Sequence, residues 1–274
     1  MTRRDRMKTT NSSLSAQHLS AGYGHKVVIN DQTITIPAGQ ITGLIGPNGS
    51  GKSTLFNVLN GFEKPMAGDV YLGDHTVSSF NAKQRAQHIA CLVQHPEAPS
   101  GITVSELVTY GRYAHRRGLH RFGKADRQAV TDAITAVHLT AFTDQPVSDL
   151  SGGQRQRAFI AMTLAQDSPV MMLDEPTTYL DLTNQLEILT LLQELNAKFH
   201  KTIVIILHDL NQAAAYCQHL ICLVHGQVQA AGCPRTVLTE KLLADVFQVR
   251  ADIAYDQQLD CPQMLNCRPL AAIS

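Results

Sequence analysis

The run Gly46-Pro47-Asn48-Gly49-Ser50-Gly51-Lys52-Ser53 fits the phosphate-loop pattern G-x-x-x-x-G-K-[ST]. Glycines let backbone N–H groups turn inward around phosphate oxygens, and a helix starting at the lysine adds its partial positive charge. We expect Lys52 to reach the β- and γ-phosphates and Ser53 to bind Mg²⁺, with Thr54 in the same site. An ordinary glycine-rich turn is the alternative. The strand-like run Ile41–Ile45 before the motif and the helical pattern Lys52–Asn60 after it favour the phosphate loop.

A second motif is an apolar strand that ends in two acids. The strand-like run Val170–Leu173 is followed by Asp174 and Glu175. A parallel strand would deliver these carboxylates to the sheet edge beside the phosphate loop, where Asp174 would organise Mg²⁺. Glu175, one residue further, would polarise the attacking water as a general base. The alternative for Glu175 is a solvated charge at a strand end.

The sequence Leu150-Ser151-Gly152-Gly153-Gln154 resembles the signature of ABC ATPases. It lies between the phosphate loop and Asp174, just before a helical pattern. The resemblance implies that Ser151, Gly152, Gly153 and Gln154 present donors to the γ-phosphate bound by a second copy of the chain. Two chains would then enclose two ATP molecules.

Four further single residues follow the order of that family. Gln94 comes after the strand-like run Ile89–Val93, as the Q-loop glutamine does, and His208 comes after another strand, as the switch histidine does. Asp181 lies in a segment similar to the D-loop, and Tyr23 precedes the phosphate loop where an aromatic ring stacks on adenine. Taken singly, each could be an ordinary loop, surface or core residue. The resemblance implies that Gln94 contacts Mg²⁺ or the water, and that His208 hydrogen-bonds the γ-phosphate.

The fold class follows from apolar strands that alternate with helical patterns. This alternation predicts an α/β core with a mostly parallel sheet, preceded by an antiparallel β subdomain. Residues 96–149 break the rhythm and predict an inserted all-helical lobe. We therefore expect a flexible tail over 1–13, an ATPase core over 14–95 and 150–250, the lobe over 96–149 and a C-terminal tail of little pattern over 251–274.

Composition narrows the function class. The 274 residues contain 23 Lys plus Arg and 23 Asp plus Glu, so no net charge favours nucleic acid. No apolar run reaches the roughly 18–20 residues that span a bilayer, and the basic N-terminus lacks the apolar segment of a secretory signal. We expect the protein to stay in the cytosol, and its six cysteines to be reduced and mostly buried. A metal site at Cys261 and Cys267 is an alternative for that pair.

A narrower resemblance points to the ATPases of bacterial iron(III)–siderophore importers. It is carried by four segments, Tyr110–His115, Ser151–Met162, Leu173–Leu182 and His208–Ala213. It implies ATP and Mg²⁺ as ligands and a second copy as partner. It also implies an integral-membrane permease, a substrate-binding protein that acts indirectly, and a peripheral position on the cytoplasmic face of the inner membrane. The group often has proline where Ala114 stands and histidine where Asn184 stands, and related subunits serve vitamin B12 and haem importers.

Two other function classes remain as alternatives. A non-transport ABC ATPase for DNA repair usually carries a long coiled coil or zinc insertion, whereas the interval between phosphate loop and signature is compact here. A regulatory subunit that binds nucleotide without hydrolysis would not need Lys52, Asp174, Glu175 and His208 together.

A basic cluster in the predicted lobe suggests a membrane-facing surface. It runs from Arg112 to Arg127 and includes Arg116 and Arg117. Our hypothesis is that it faces permease loops and lipid headgroups. A solvated helix face is the alternative.

Overall fold

The structure is a computed structural model that describes residues 13–116 and 122–270. The described chain divides into two compact units. One contains residues 13–79 and 204–270, and the other contains Phe80–Ile203. We describe each unit by itself.

The first unit is built mainly from strands. In chain order they are β1 (Leu14–Tyr23), β2 (Lys26–Ile36), β3 (Ile41–Ile45), β4 (Ala67–Leu72), β5 (His75–Thr76), β8 (Thr202–Ile206, on which the boundary falls), β9 (His219–Val224), β10 (Gln227–Gly232), β11 (Val249–Asp256) and β12 (Cys261–Pro269). Its helices are α1 (Lys52–Leu59), α7 (Leu210–Tyr216), α8 (Pro234–Val237) and α9 (Glu240–Phe247).

The strands of this unit pair in three groups. Strands β2, β1, β4 and β5 lie side by side in that order, all antiparallel. In the second group the order is β10, β9, β3 and β8; β3 and β9 run parallel, and β10 is antiparallel to β9. Strands β11 and β12 form an antiparallel hairpin of their own. All five residues of β3 are buried, as expected for a parallel strand covered on both faces.

The second unit is mostly helical. Its helices are α2 (Ala82–His88), α3 (Val104–Tyr110), α4 (Lys124–Ala136), α5 (Gly152–Ala165) and α6 (Leu182–Phe199), and its strands are β6 (Ile89–Leu92) and β7 (Val170–Leu173). The two strands run parallel. Helices α3 and α4 pack against each other and against α5.

Local sequence signals explain where these helices begin. Thr103 starts α3 with a capping box, in which its hydroxyl accepts from the Glu106 N–H and the Glu106 carboxylate accepts from the Thr103 N–H. Asp181 caps α6 by accepting from the Asn184 N–H at 2.8 Å. Each cap satisfies backbone donors that a helix N-terminus leaves without partners inside the helix.

The predicted α/β class, with antiparallel N-terminal strands and a mostly parallel sheet, is confirmed. Residues 96–116 and 122–149 form helices and short helical turns, with one isolated bridge between Thr103 and Pro146. The domain boundaries drawn from the sequence stay predictions. The N-terminal tail, residues 1–13, lies almost wholly outside the described residues. The C-terminal segment with little sequence pattern contains most of the β11–β12 hairpin.

Candidate functional site

The phosphate loop joins β3 to α1 and is shaped by glycine. Gly46, Gly49 and Gly51 all have positive φ, at 146°, 74° and 103°. A Cβ on Gly46 would lie 2.1 Å from the Leu223 carbonyl oxygen, so a side chain there would displace the loop. The loop therefore has the tight backbone that the motif predicts.

Lys52 folds back over its own loop. Its Nζ donates to the Gly46 carbonyl at 2.8 Å and to the Pro47 carbonyl at 3.0 Å, and the residue is buried. These bonds hold the ammonium beside the loop backbone, where a bound phosphate would meet it.

Two observations fit an anion at this loop. The N-cap residue of α1 is Gly51, which has no side chain to accept from the first N–H groups of the helix. The Ser50 hydroxyl is buried and has no hydrogen-bond partner in the described part of the chain. A buried hydroxyl without a partner costs roughly 1–3 kcal/mol, and a phosphate oxygen would remove that cost.

Ser53, Thr54 and Tyr23 lie around the start of α1. Ser53 is exposed, and the Thr54 hydroxyl donates to Tyr23 Oη at 3.5 Å. Tyr23 is the last residue of β1 and is half exposed, which leaves ring surface for a ligand.

In the second unit, β7 delivers the predicted acid pair. All four residues of β7 are buried, and the Asp174 N–H continues the ladder by donating to the Leu92 carbonyl at 2.9 Å. Glu175 follows with φ 48°, a left-handed conformation that few non-glycine residues adopt. Such backbone strain is concentrated at functional sites.

Gln94 and Glu175 are in direct contact. The Gln94 amide donates to Glu175 Oε2 at 2.7 Å, and the Thr178 hydroxyl donates to the same oxygen at 3.0 Å. Two donors on one carboxylate oxygen fix the orientation of the carboxylate. We did not predict a role for Thr178 from the sequence. Its position three residues after Glu175 is the feature that could have indicated one.

The Ser-Gly-Gly-Gln segment begins α5. Ser151 and Gln154 form a capping box, in which Ser151 Oγ accepts from the Gln154 N–H at 3.3 Å and the Gln154 side chain accepts from the Ser151 N–H at 3.0 Å. Gly153 is buried, whereas Ser151 and Gly152 are exposed.

Asn184 links this helix start to the D-loop aspartate. A Cβ on Gly153 would lie 1.9 Å from Asn184 Oδ1, so the two residues are packed closely. The Asn184 amide also donates to both carboxylate oxygens of Asp181, at 2.9 and 3.0 Å. From the sequence, Asn184 was noted only as a departure from the iron(III)–siderophore importer ATPases, which often have histidine at this position.

His208 follows β8 in the first unit. Leu207 is buried and His208 is exposed. Asp209 then caps α7 by accepting from the Gln212 N–H at 2.8 Å, which fixes where the helix begins.

The predicted residues therefore gather in two groups, one in each unit. The phosphate loop, Tyr23, Thr54 and His208 belong to the first unit, and Gln94, Asp174, Glu175, the signature segment and Asp181 belong to the second.

The basic cluster is partly structural. Arg112 is buried, where it donates to the Ala165 carbonyl at 2.7 Å and forms an ion pair with Asp126 at 3.1 Å. Burial acts to raise the pKa of Asp126, but hydrogen bonds from Gly123 and Arg112 outweigh it and lower that pKa. The Arg116 guanidinium lies over the rings of Tyr113 and Phe122. Residues 117–121, which include Arg117, lie outside the described residues.

All six cysteines are free thiols, but only three of the six are buried. Cys217, Cys222 and Cys261 are buried, Cys91 is half-buried, and Cys233 and Cys267 are exposed. Burial raises the pKa of Cys217 to about 12 and that of Cys222 to about 11, so both thiols stay protonated and unreactive at neutral pH.

The fold and these motifs together define a P-loop ATPase. The family described as ABC transporter matches residues 29–178, more than half of the chain. The chain belongs to the ABC transporter family, as one of its ATP-binding, ATP-hydrolysing subunits. No helix within 13–116 or 122–270 combines the length and apolar character needed to cross a membrane.

Relatives and solved structures agree with this assignment. The iron(3+)-hydroxamate import ATP-binding protein FhuC of Bacillus subtilis (strain 168) is 44% identical over 93% of this chain and 95% of its own. The ferric enterobactin transport ATP-binding protein FepC of Escherichia coli (strain K12) is 43% identical over 91% of this chain and 92% of its own. A dimeric post-hydrolysis structure of the ATP-binding cassette MJ0796, bound to ADP and Pi, is 28% identical with a TM-score of 0.69, covering 80% of this chain and 98% of that one.

Proposed function

We propose that this chain energises import of an iron(III)–siderophore complex through a separate membrane permease. The substrate assignment is supported by the relatives named for iron(3+)-hydroxamate import and ferric enterobactin transport, each more than 40% identical. Uptake of vitamin B12 or haem is the alternative cargo. The permease and a substrate-binding protein select the cargo, and this chain acts from the cytoplasmic face of the membrane without contacting nucleic acid.

The first unit binds the nucleotide. Tyr23 stacks on adenine, and the loop from Gly46 to Thr54 surrounds the phosphates with N–H groups. Lys52 then exchanges its two loop carbonyls for phosphate oxygens, which keeps its buried ammonium paired throughout.

The three residues predicted to bind Mg²⁺ offer oxygen donors that suit this ion. Ser53, Gln94 and Asp174 offer hydroxyl, amide and carboxylate oxygens, the hard ligands this ion prefers. When bound, Mg²⁺ neutralises charge on the phosphate oxygens. Because Gln94 directs its amide nitrogen at Glu175, its amide oxygen is the atom that serves the metal or the water.

Glu175 acts as the general base, and the hydrogen bonds that its carboxylate accepts support this proposal. Gln94 and Thr178 both donate to Oε2, so the carboxylate that accepts the proton of the attacking water is held in place. His208 donates to the γ-phosphate and keeps the water in line. Positioning and electrostatics supply most of the catalysis in phosphoryl transfer.

A second copy completes each site. Ser151 Oγ uses a lone pair to accept from the Gln154 N–H and retains its own hydrogen, which it donates to the γ-phosphate held by the other chain. In this proposal Gly152, Gly153 and Asp181 of that second copy belong to the same contact. The dimeric structure of the similar cassette bound to ADP and Pi supports this arrangement.

The test of the base is Glu175→Gln. We expect ATP affinity within about threefold of wild type and a turnover rate lowered at least about a hundredfold, the usual contribution of a general base. The matched control is Glu194→Gln, an exposed glutamate on α6, which should leave turnover unchanged. Hydrolysis by Glu175→Gln at a rate close to wild type refutes the assignment.

The test of the cargo is uptake in a strain that lacks this chain. Complementation should restore growth and uptake on ferric hydroxamate or ferric catecholate chelates and should leave vitamin B12 and haem uptake unchanged. Restoration of B12 or haem uptake alone would reverse the substrate assignment and leave the ATPase intact.

A further inference from the structure

The turn between β9 and β10 is a tight two-residue hairpin. His225 and Gly226 both have positive φ, at 46° and 76°, as the commonest twist-matched hairpin turn requires. Val224 and Gln227 are paired on either side of it. Gly226 is buried although it lies at a loop tip, so the turn packs against something.

This hairpin contacts both ends of the phosphate loop. At one end, the Leu223 carbonyl oxygen occupies the space that a Cβ on Gly46 would need, at 2.1 Å. At the other end, the Gly226 N–H donates to the Ser50 carbonyl at 2.8 Å. Gly51 sits over the same turn, since a Cβ there would lie 3.6 Å from the Gly226 Cα.

The bond to Ser50 determines which way the next N–H points. In a planar trans peptide, the carbonyl and the following N–H point in opposite directions. Because the Ser50 carbonyl is held towards Gly226, the Gly51 N–H is directed away from the hairpin. Gly51 is the N-cap residue of α1, so this N–H belongs to the loop backbone that would surround a phosphate.

We propose that the β9–β10 turn is a brace for the phosphate loop and that Gly226 is a positioning residue for nucleotide binding. This proposal rests on the proposed role of the loop in binding ATP. Gly226 does not touch the nucleotide. It acts through the Ser50–Gly51 peptide, whose orientation it fixes before ATP arrives.

Only glycine allows the turn to approach so closely. A Cβ on Gly226 would lie 1.6 Å from the Val28 carbonyl oxygen and 3.2 Å from the Ile29 Cα, both backbone atoms of β2. Ile29 also packs against Gly51, where a Cβ would meet its Cδ1 at 2.9 Å. A side chain at Gly226 would therefore push the turn away from β2 and lengthen its bond to Ser50.

The experiment compares Gly226→Ala with Gly101→Ala in the full-length chain. Gly101 has φ 77°, matching the 76° of Gly226, but nothing lies within 4 Å of a Cβ built on it. The control thus carries the same backbone strain without the collision. Thermal unfolding first establishes that each variant is folded, and a fluorescent ATP analogue then gives the dissociation constant.

We expect Gly226→Ala to weaken nucleotide binding about tenfold or more, as for a lost hydrogen bond to a charged phosphate, with KM rising more than kcat falls. Gly101→Ala should bind within about twofold of wild type. A folded Gly226→Ala chain with wild-type affinity overturns the brace. Lys52→Ala tests the role of the phosphate loop separately from the brace. Unchanged nucleotide binding in that variant would refute the role of the loop in binding ATP.

Amide hydrogen exchange tests the same bond if Gly226→Ala does not fold. In the wild-type chain, nucleotide should slow exchange at the Gly226 N–H about tenfold or more, since the bound loop opens less often. An exchange rate that is the same with and without nucleotide overturns the proposal.

Discussion

Replacing Gly153 by alanine should loosen the start of α5 through its contact with Asn184. The added Cβ would lie 1.9 Å from Asn184 Oδ1 and 2.7 Å from its Cγ, distances that non-bonded Cβ contacts essentially never show. Asn184 must therefore move. Its amide is held by both carboxylate oxygens of Asp181, so the movement breaks those bonds at 2.9 and 3.0 Å.

The expected cost follows from three contributions. Hydrogen bonds to a charged group contribute about 1.5–3 kcal/mol, and exposure of Asp181 puts this pair at the lower end. Crowding a packed site typically costs about 1–3 kcal/mol when it cannot relax, and less here because a side-chain end can turn away. Alanine in place of a helical glycine returns about 0.5–1 kcal/mol. The net result is a loss of about 1–2 kcal/mol in the free energy of unfolding.

Urea unfolding of the full-length chain measures this loss, and Gly152→Ala is the matched control. Gly152 is the adjacent helical glycine, and its added Cβ would meet only Leu180 Cδ2, at an ordinary 3.5 Å. Gly152→Ala should be neutral or more stable than wild type by up to about 1 kcal/mol.

A double-mutant cycle identifies Asn184 as the cause. In an Asn184→Ala background the obstructing atoms are gone, so Gly153→Ala should become neutral or stabilising, with a coupling of about 1–3 kcal/mol. If Gly153→Ala is as stable as Gly152→Ala to within about 0.3 kcal/mol, the packing argument is wrong.

Two further predictions concern a buried and a half-buried polar side chain in the first unit. Thr42 is fully buried on β3 and its hydroxyl has no hydrogen-bond partner among the described residues, so Thr42→Val should raise the free energy of unfolding by about 1 kcal/mol. The control Thr163→Val loses a 2.9 Å bond to the Phe159 carbonyl and should not stabilise; a loss on Thr42→Val would contradict the reasoning. Burial lowers the pKa of His219, so the unfolded chain takes up that proton first as the pH falls below about 6.5, and stability declines through that window. Urea unfolding should show that the free energy of unfolding falls less in His219→Gln than in wild type between about pH 7.5 and about pH 5.5. The same pH slope in both chains would refute the role of His219.

The nucleotide motifs could be predicted because their chemistry is local. A phosphate loop needs its glycines, lysine and hydroxyl within a few residues, and the strand before it is apolar throughout. The strand Val170–Leu173 was predicted for the same reason, since all four residues are buried. These motifs consist of residues that are adjacent in sequence, so one sequence is enough to predict them.

Strand β2 shows where local patterning misleads. The polar residues Asn30, Asp31 and Gln32 interrupt the apolar pattern, yet β2 continues from Lys26 to Ile36. Asp31 adopts φ 47° and its N–H donates to Ser20 Oγ at 3.0 Å, and the register with β1 shifts nearby. The irregularity turns the polar residues outward without ending the strand.

The C-terminal hairpin was missed because it buries too little to leave a pattern. In β11 only Ala251 is buried, and in β12 only Cys261 and Pro262 are. Its position is instead fixed by a polar contact distant in sequence. The Met264 N–H donates to Asn211 Oδ1 at 2.8 Å, and the Asn211 amide donates to the Met264 carbonyl at 3.3 Å.

Gly153 and Gly226 share a property that no sequence motif expresses. Gly153 keeps an ordinary helical backbone, and what excludes a side chain there is the Asn184 amide in the space a Cβ would fill. Gly226 does have positive φ, but the carbonyl of Val28 at 1.6 Å would exclude a Cβ even in a relaxed turn. In both cases a segment distant in sequence occupies the space that a Cβ would fill. For Gly153, removal of the Asn184 side chain should therefore restore the lost stability, which loss of backbone flexibility alone would not allow.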